Sequence, residues 1–146
     1  MASQIQRERE FKVSPKQLYK VITDFESYKA FLPEVVGSSI VSGKGTEKVR
    51  VRFEIELMKK FVYDLEFSLF PDKEVHWRLV ESDFFKANQG KWVLTPHREG
   101  THVKYELEVG FGFLVPGWIT KKLTESNLPQ MFDKFETRAQ EIKNYE

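Results

Sequence analysis

Cysteine is absent from this chain of 146 residues. That excludes a disulfide framework and a thiolate zinc site, and it suits a reducing compartment, so a cytoplasmic location is expected. Excess charge is lacking too: 23 lysines and arginines against 22 acidic residues leave a formal +1. Such a balance creates no long-range field to gather nucleic acid, and no DNA partner is expected. Long apolar runs are also missing. No stretch approaches the roughly 20 apolar residues of a membrane span, and the opening "MASQIQREREFKV" places charges where a secretory signal needs continuous apolar sequence. A chain of this length buries roughly 68 to 70% of the surface it exposes when unfolded. One domain over residues 1–146, with a core that needs no staples, is therefore expected.

Histidine is scarce: only His76, His97 and His102 occur. His76 alternates outward beside Trp77. His97 and His102 flank the turn "HREGTH", with no inward carboxylate evident to complete a metal site, so they read as surface residues and no metal is expected. No Ser-His-Asp pattern, phosphate-binding loop or dinucleotide signature is present, and neither a catalytic residue nor a cofactor is assigned. Glu54 with Glu56, and Glu106 with Glu108, share strand faces with Arg50, Arg52 and Lys104. Cross-strand ion pairing on a solvated sheet accounts for them.

What the sequence does have is clear periodicity. Residues 3 to 13 alternate loosely, with Ile5, Phe11 and Val13 on one face of a first strand. Arg7 and Arg9 share that parity, so only its ends look buried. Ser14, Pro15 and Gln17 then form an S-x-x-Q capping box with proline at the first helical position, predicting a helix over about 15–23 that buries Leu18, Val21 and Ile22. Asp24 can cap a second short helix, about 25–31, with Phe25, Tyr28, Phe31 and Leu32 at helical spacing until Pro33 stops it.

From Val35 the period becomes two. "VVGSSIVSG" leads to a Gly43-Lys44-Gly45 turn, and "EKVRVRFEIELM" puts Val49, Val51, Phe53, Ile55 and Leu57 on one face. Lys59 and Lys60 are expected to turn the chain. The return strand, about 61–70, points Phe61, Tyr63, Leu65, Phe67 and Leu69 inward and Asp64, Glu66 and Ser68 outward. Strands near 74–81, 87–95 and 101–111 follow, separated by "ESDFF" and "PHREGT". Their inward residues are Val75, Trp77, Leu79, Trp92, Leu94, Val103, Tyr105, Leu107 and Val109. A last helix over about 117–144 carries the stripe Leu128, Met131, Phe132, Phe135, Ala139 and Ile142, with Pro129 expected to kink or break it near residues 125–127.

Seven strands at about 4.8 Å make a sheet roughly 34 Å wide, whereas a helix with its side chains is about 10 to 12 Å across. One helix cannot cover that sheet flat. The sheet must curl around the helix, and its aromatic face either fills the interior as core or leaves a cavity. Both readings stay open.

This order resembles the α+β helix-grip fold of the START-like (SRPBCC) superfamily: a curled seven-stranded antiparallel sheet around a long C-terminal helix, with two short helices between strands one and two. Within it, "FESYKAFLPEVVGSSIV" and "DFFKANQGKWVLTP" are similar to the polyketide cyclase/coenzyme Q-binding branch, which also contains ribosome-association toxin proteins. The shared features are Tyr28, Phe31, Leu32 and Pro33, and Gly90, Trp92, Thr95 and Pro96. The chain departs from the branch at Phe111-Gly112-Phe113 and at Pro129, so ligand identity does not carry over. The resemblance implies binding of a hydrophobic molecule, with a ribosome-associated role in translation or cyclase/dehydratase activity as alternatives.

If a cavity exists, its expected lining is Phe53, Ile55, Tyr63, Leu65, Phe67, Trp77, Leu79, Trp92, Tyr105, Leu107, Met131, Phe132 and Phe135. This inner face carries no charged residue, so a neutral, mostly apolar ligand is expected: a lipid, an isoprenoid quinone or a polyketide-like molecule. An inward arginine on the first strand would instead welcome an acidic headgroup. Tyr28, Phe31, Leu32 and Pro33 are expected at the mouth, with Phe113, Leu114 and Trp118 as a lid. The run "FGFLVPGWI", followed by Lys121 and Lys122, reads as a buried link or as a lid that touches a membrane transiently.

Overall fold

The alternating segments fold as strands β1 (Ser3–Phe11), β2 (Val35–Ser42), β3 (Lys48–Leu57), β4 (Lys59–Phe70), β5 (Glu74–Ser82), β6 (Phe85–His97) and β7 (Gly100–Phe111). The helical segments are α1 (Pro15–Ile22), α2 (Tyr28–Phe31), α3 (Gly117–Lys121) and α4 (Leu128–Tyr145). These come from a computed structural model that describes residues 3–57, 59–112, 116–122 and 128–145. The strands form one antiparallel sheet in the order β1-β7-β6-β5-β4-β3-β2. β1 reaches across to β7, so the first strand to be made closes the sheet beside the last.

The entry to α1 follows from its cap. Ser14 has extended backbone, and its Oγ accepts from the Gln17 amide at 3.2 Å, while Pro15 presets the first helical φ. Leu18, Val21 and Ile22 are buried as expected. The second short helix differs from expectation in two ways. Its first turn, Phe25–Ser27, is a 3-10 turn, and the Asp24 side chain makes no capping hydrogen bond. The single α turn of α2 ends where Leu32 turns extended ahead of Pro33.

Strict alternation in β3 survives intact: Val49, Val51, Phe53, Ile55 and Leu57 are buried in turn. Lys59 and Lys60, expected to form the turn, belong instead to β4, because Leu57 pairs with Lys59 and Glu56 with Lys60. The hairpin is therefore tighter than the charge pattern suggested. The last helix is described as two pieces, α3 and α4, and Pro129 lies in the first turn of α4, where a missing N–H costs nothing. The break expected at residues 125–127 lies outside the described residues.

Close approach explains one motif. A Cβ on Gly90 would fall 2.1 Å from the Glu106 carbonyl oxygen and 2.7 Å from Cζ2 of Trp77. Glycine there lets the Trp77 indole lie flat against β6, which is the physical content of the Gly-x-Trp pattern.

One continuous core joins β1, α1, α2, the sheet and α4, from Phe11 and Leu18 to Trp92, Phe132 and Ala139. Ile55, Leu57, Phe61 and Phe84 make a second, smaller cluster at the β3–β4 turn.

Candidate functional site

Between the concave face of the sheet and α4 lies a cavity of about 230 Å³. One water needs only roughly 10–15 Å³, so the aromatic face does not fill the interior. Strands contribute Phe53, Ile55, Tyr63, Leu65, Phe67, Trp77, Trp92, Tyr105 and Leu107 to its wall, and α4 contributes Met131 and Phe135. Tyr28 and Leu32 border it from the segment before β2. Volume alone does not single it out. A groove of about 610 Å³ between α1 and the β2–β3 hairpin is larger, but it carries Asp24, Glu26, Lys44 and Glu47.

Several expected residues lie elsewhere. Phe132 is one step round the helix from Met131, so it faces away from the cavity and packs against Phe11, Trp92 and Tyr105 at ring distances of 5.9, 5.6 and 5.2 Å. Leu79 is half-buried against the core beside the bulge where β5 loses its pairing parity with β4, and does not border the cavity. Phe31 packs on Phe135 at 5.2 Å, under the Arg138 guanidinium, and faces a separate groove. Pro33 is exposed. Trp118 on α3 is 50% exposed. Phe113 and Leu114 lie outside the described residues.

The sequence reading also missed residues. Asn88, Phe85, Val109 and Phe111 join the wall, as do Glu34, Val35, Gln130 and Lys134. Asn88 was discoverable, since it shares parity with Trp92 and Leu94. Phe85 was not, because the β6–β7 ladder slips between Phe85 and Ala87. The lining is thus not free of charge: it carries Glu34 and Lys134, of opposite sign.

The polar groups inside are unequally committed. The Trp77 indole donates to Asn88 Oδ1 at 2.9 Å, so it is not free to orient a ligand. The Tyr28 hydroxyl donates to the Ile22 carbonyl and ties α2 to the end of α1. Among the described residues the Tyr63 and Tyr105 side chains make ring contacts only, with Phe53, Phe84 and Phe85, and with Trp77, Trp92 and Phe132 respectively. Burial raises both phenols far above their ordinary pKa, and the nearby Tyr63 adds to the rise at Tyr105. Both are protonated at any physiological pH.

Arg9, the inward candidate on β1, does not reach the cavity wall. Its guanidinium bonds Asp133 at 2.7 Å and Glu136 at 2.8 Å and lies 4.7 Å from the Phe11 ring, clamping β1 to α4. Asp64 lies on the outer face, as its alternation predicts, yet is only 2% exposed. Its oxygens accept from Arg52 at 2.8 Å and 3.1 Å and from Arg50 at 2.8 Å. Burial alone would raise its pKa, but the bonds from Arg52 and Arg50 outweigh it and the net shift is downward.

His97 and His102 do approach, with ring centroids 6.3 Å apart. Their carboxylate partners come from β1, which sequence spacing could not reveal: His102 bonds Glu10 at 2.5 Å and Glu8 at 2.9 Å. Those two bonds, Glu10 first, raise the His102 pKa. Among the described residues no group of three or more such side chains is arranged to hold a metal ion.

Residues 11–136 match the family described as polyketide cyclase/dehydrase and lipid transport. Among solved structures, the Thermus thermophilus protein TTHA0849 matches with a TM-score of 0.82 at 25% identity, covering 96% of this chain and 99% of that one. A START superfamily protein from Mycobacterium smegmatis gives 0.80 at 20% identity, covering 95% and 98%. The Zhui aromatase/cyclase of a Streptomyces species gives 0.83 at 11% identity, covering 96% and 94%. These likenesses establish the helix-grip architecture expected from the order of elements.

Proposed function

Since the chain belongs to the polyketide cyclase/dehydrase and lipid transport family, we propose that it takes up and carries an apolar small molecule between the sheet and α4. The observation that carries this reading is the cavity of about 230 Å³ walled mainly by aromatic and aliphatic side chains. Each 100 Å² of apolar surface moved from water into it is worth about 2.5 kcal/mol. Isoprenoid quinones and lipids are the candidate ligands. Binding is favoured over turnover because burial holds the Tyr63 and Tyr105 phenols protonated and, among the described residues, neither hydroxyl is hydrogen-bonded to a base.

Native mass spectrometry after mild purification, paired with thermal shift on adding decylubiquinone or long-chain fatty acids, tests the reading. A bound mass or a raised Tm is expected, and Leu107→Trp, which fills the cavity, should remove both. No bound mass and no shift with any probe would contradict it.

Exchange at a membrane surface fits the same reading. No helix among the described residues is long and apolar enough to cross a bilayer. Yet α3 presents Trp118 half exposed, with Lys121 and Lys122 exposed after it, a pairing suited to anionic headgroups. Sedimentation with phosphatidylserine vesicles should fall in Trp118→Ala and at high salt; equal sedimentation of both proteins would remove the membrane step.

A further inference from the structure

Among the described residues the only fully enclosed side-chain nitrogen or oxygen without a partner is Ser38 Oγ. Among the same residues the Tyr63 and Tyr105 hydroxyls also find no partner but are not enclosed in that way, so they border open space, and both residues line the cavity. Tyr105 is 6% exposed, which leaves the cavity itself as the place its hydroxyl meets. Asn88 lies in the same cluster: the Trp77 indole it bonds is 5.6 Å, centroid to centroid, from the Tyr105 ring. An indole N–H can only donate, so Asn88 must turn its oxygen to Trp77, and its amide N–H₂ remains for something else.

Among the described residues, the polar groups of the wall left without a partner are thus two phenol O–H groups, the Trp92 indole N–H and one amide N–H₂, and Gln130 and Lys134 add further polar groups from α4. Phenols donate better than they accept, and the amide nitrogen can only donate. An unpartnered donor in an apolar cavity is costly, and the cost is relieved by an acceptor brought in from outside. The charged lining residues, Glu34 and Lys134, have opposite sign and give the wall no net charge. An ionised ligand group would lose its hydration there, and Lys134, the cation of the lining, shares the wall with Glu34, which repels an anion.

We infer that Tyr63, Tyr105 and Asn88 form a donor set that recognises a neutral carbonyl oxygen, so that the ligand class is an apolar ketone, ester or quinone. This rests on the proposed uptake of an apolar molecule and narrows it. A hydrocarbon would fill the space but leave the donors unanswered. A carboxylate would answer them at the expense of burying its charge. A neutral carbonyl meets both conditions.

Three probes of similar size separate these cases: 2-tridecanone, n-tridecane and dodecanoate, titrated against the full chain and read by quenching of tryptophan fluorescence. Tyr63→Phe, Tyr105→Phe and the double variant keep the rings and remove the donors. The double variant is expected to bind 2-tridecanone about tenfold more weakly, with each single variant in between. Its affinity for n-tridecane should stay within about twofold. Unchanged Tm in the single variants guards against a folding artefact. If ketone and alkane both bind and the variants alter neither, the donor set is overturned while the uptake of apolar molecules stands. If dodecanoate binds most tightly and the variants weaken it, the neutral-carbonyl assignment is overturned. If no probe binds, the underlying reading fails and this inference with it.

Discussion

On the outer face of the sheet, Asp64 is 2% exposed, and both of its carboxylate oxygens accept from guanidinium groups of Arg50 and Arg52. One residue earlier in the same strand, the Tyr63 side chain points to the inner face, and its hydroxyl, like that of Tyr105, meets no partner among the described residues. The contrast separates two kinds of buried polar group. Where polarity serves the fold, the fold supplies the partner, because an unanswered buried donor or acceptor costs about 1–3 kcal/mol. Where the partner is missing inside a cavity, the answer is expected from outside the chain.

The largest test sets packed wall against open wall. Phe132→Ala removes a ring wedged between Phe11, Trp92 and Tyr105 and should cost about 3–5 kcal/mol in urea denaturation. Leu107→Ala, beside existing space, should cost less than half of that. Equal losses would mean the cavity wall is as tightly packed as the core.

Next comes Asp64→Ala, which strips both guanidinium groups of their shared acceptor. A loss of about 2 kcal/mol is expected at pH 7, moderated because Arg50 and Arg52 keep partial contact with water. The sign with pH follows from the lowered pKa. The carboxylate stabilises the fold above the unfolded value near 3.9 and ceases to do so as pH falls through the lower folded value. The gap between wild type and variant should therefore narrow in acid. A gap that widens there would reverse the assignment.

Tyr63→Phe and Tyr105→Phe should do the opposite of Asp64→Ala. Removing a buried hydroxyl with no partner is expected to leave stability within about 0.5 kcal/mol of wild type, or to raise it. A loss above about 1 kcal/mol would show that these hydroxyls serve the fold.

The smallest effect concerns His102, held between Glu10 and Glu8 on the solvated face. A raised folded pKa makes its contribution complete below about 6.5 and lost as pH rises through the folded value. His102→Gln should therefore narrow the stability difference as pH climbs from 6 to 9. An NMR titration placing the His102 pKa at or below 6.5 would contradict the bridge.

Period and punctuation made the fold legible. Alternation in β3 and β4 set one face inward, Ser14 and Pro15 started α1, and Pro33 ended α2. The width of seven strands against one helix then required curling. What stayed hidden depended on pairing between distant strands. The Glu8, Glu10 and His102 bridge exists only because β1 lies beside β7. Asp64 is buried because Arg50 and Arg52 of β3 fold over β4. Phe85 joins the wall through a slip in the β6–β7 ladder, which no alternation rule anticipates. In the site, the aromatic wall was legible from parity, whereas the pairing of Trp77 with Asn88 was not. That pairing commits the Trp77 indole and leaves the two phenols and the Trp92 indole to face the cavity.

The most direct test of a ligand-carrying cavity is an isotope-filtered NMR experiment on the labelled protein with unlabelled 2-tridecanone. Cross-peaks from the alkyl chain to the Met131, Leu65 and Leu107 methyl groups, with none to Leu18 or Val21 of α1, are the predicted result. Saturable binding that shows contacts only at outer-surface residues such as Val41 or Phe70, or no contacts at all, would contradict the account.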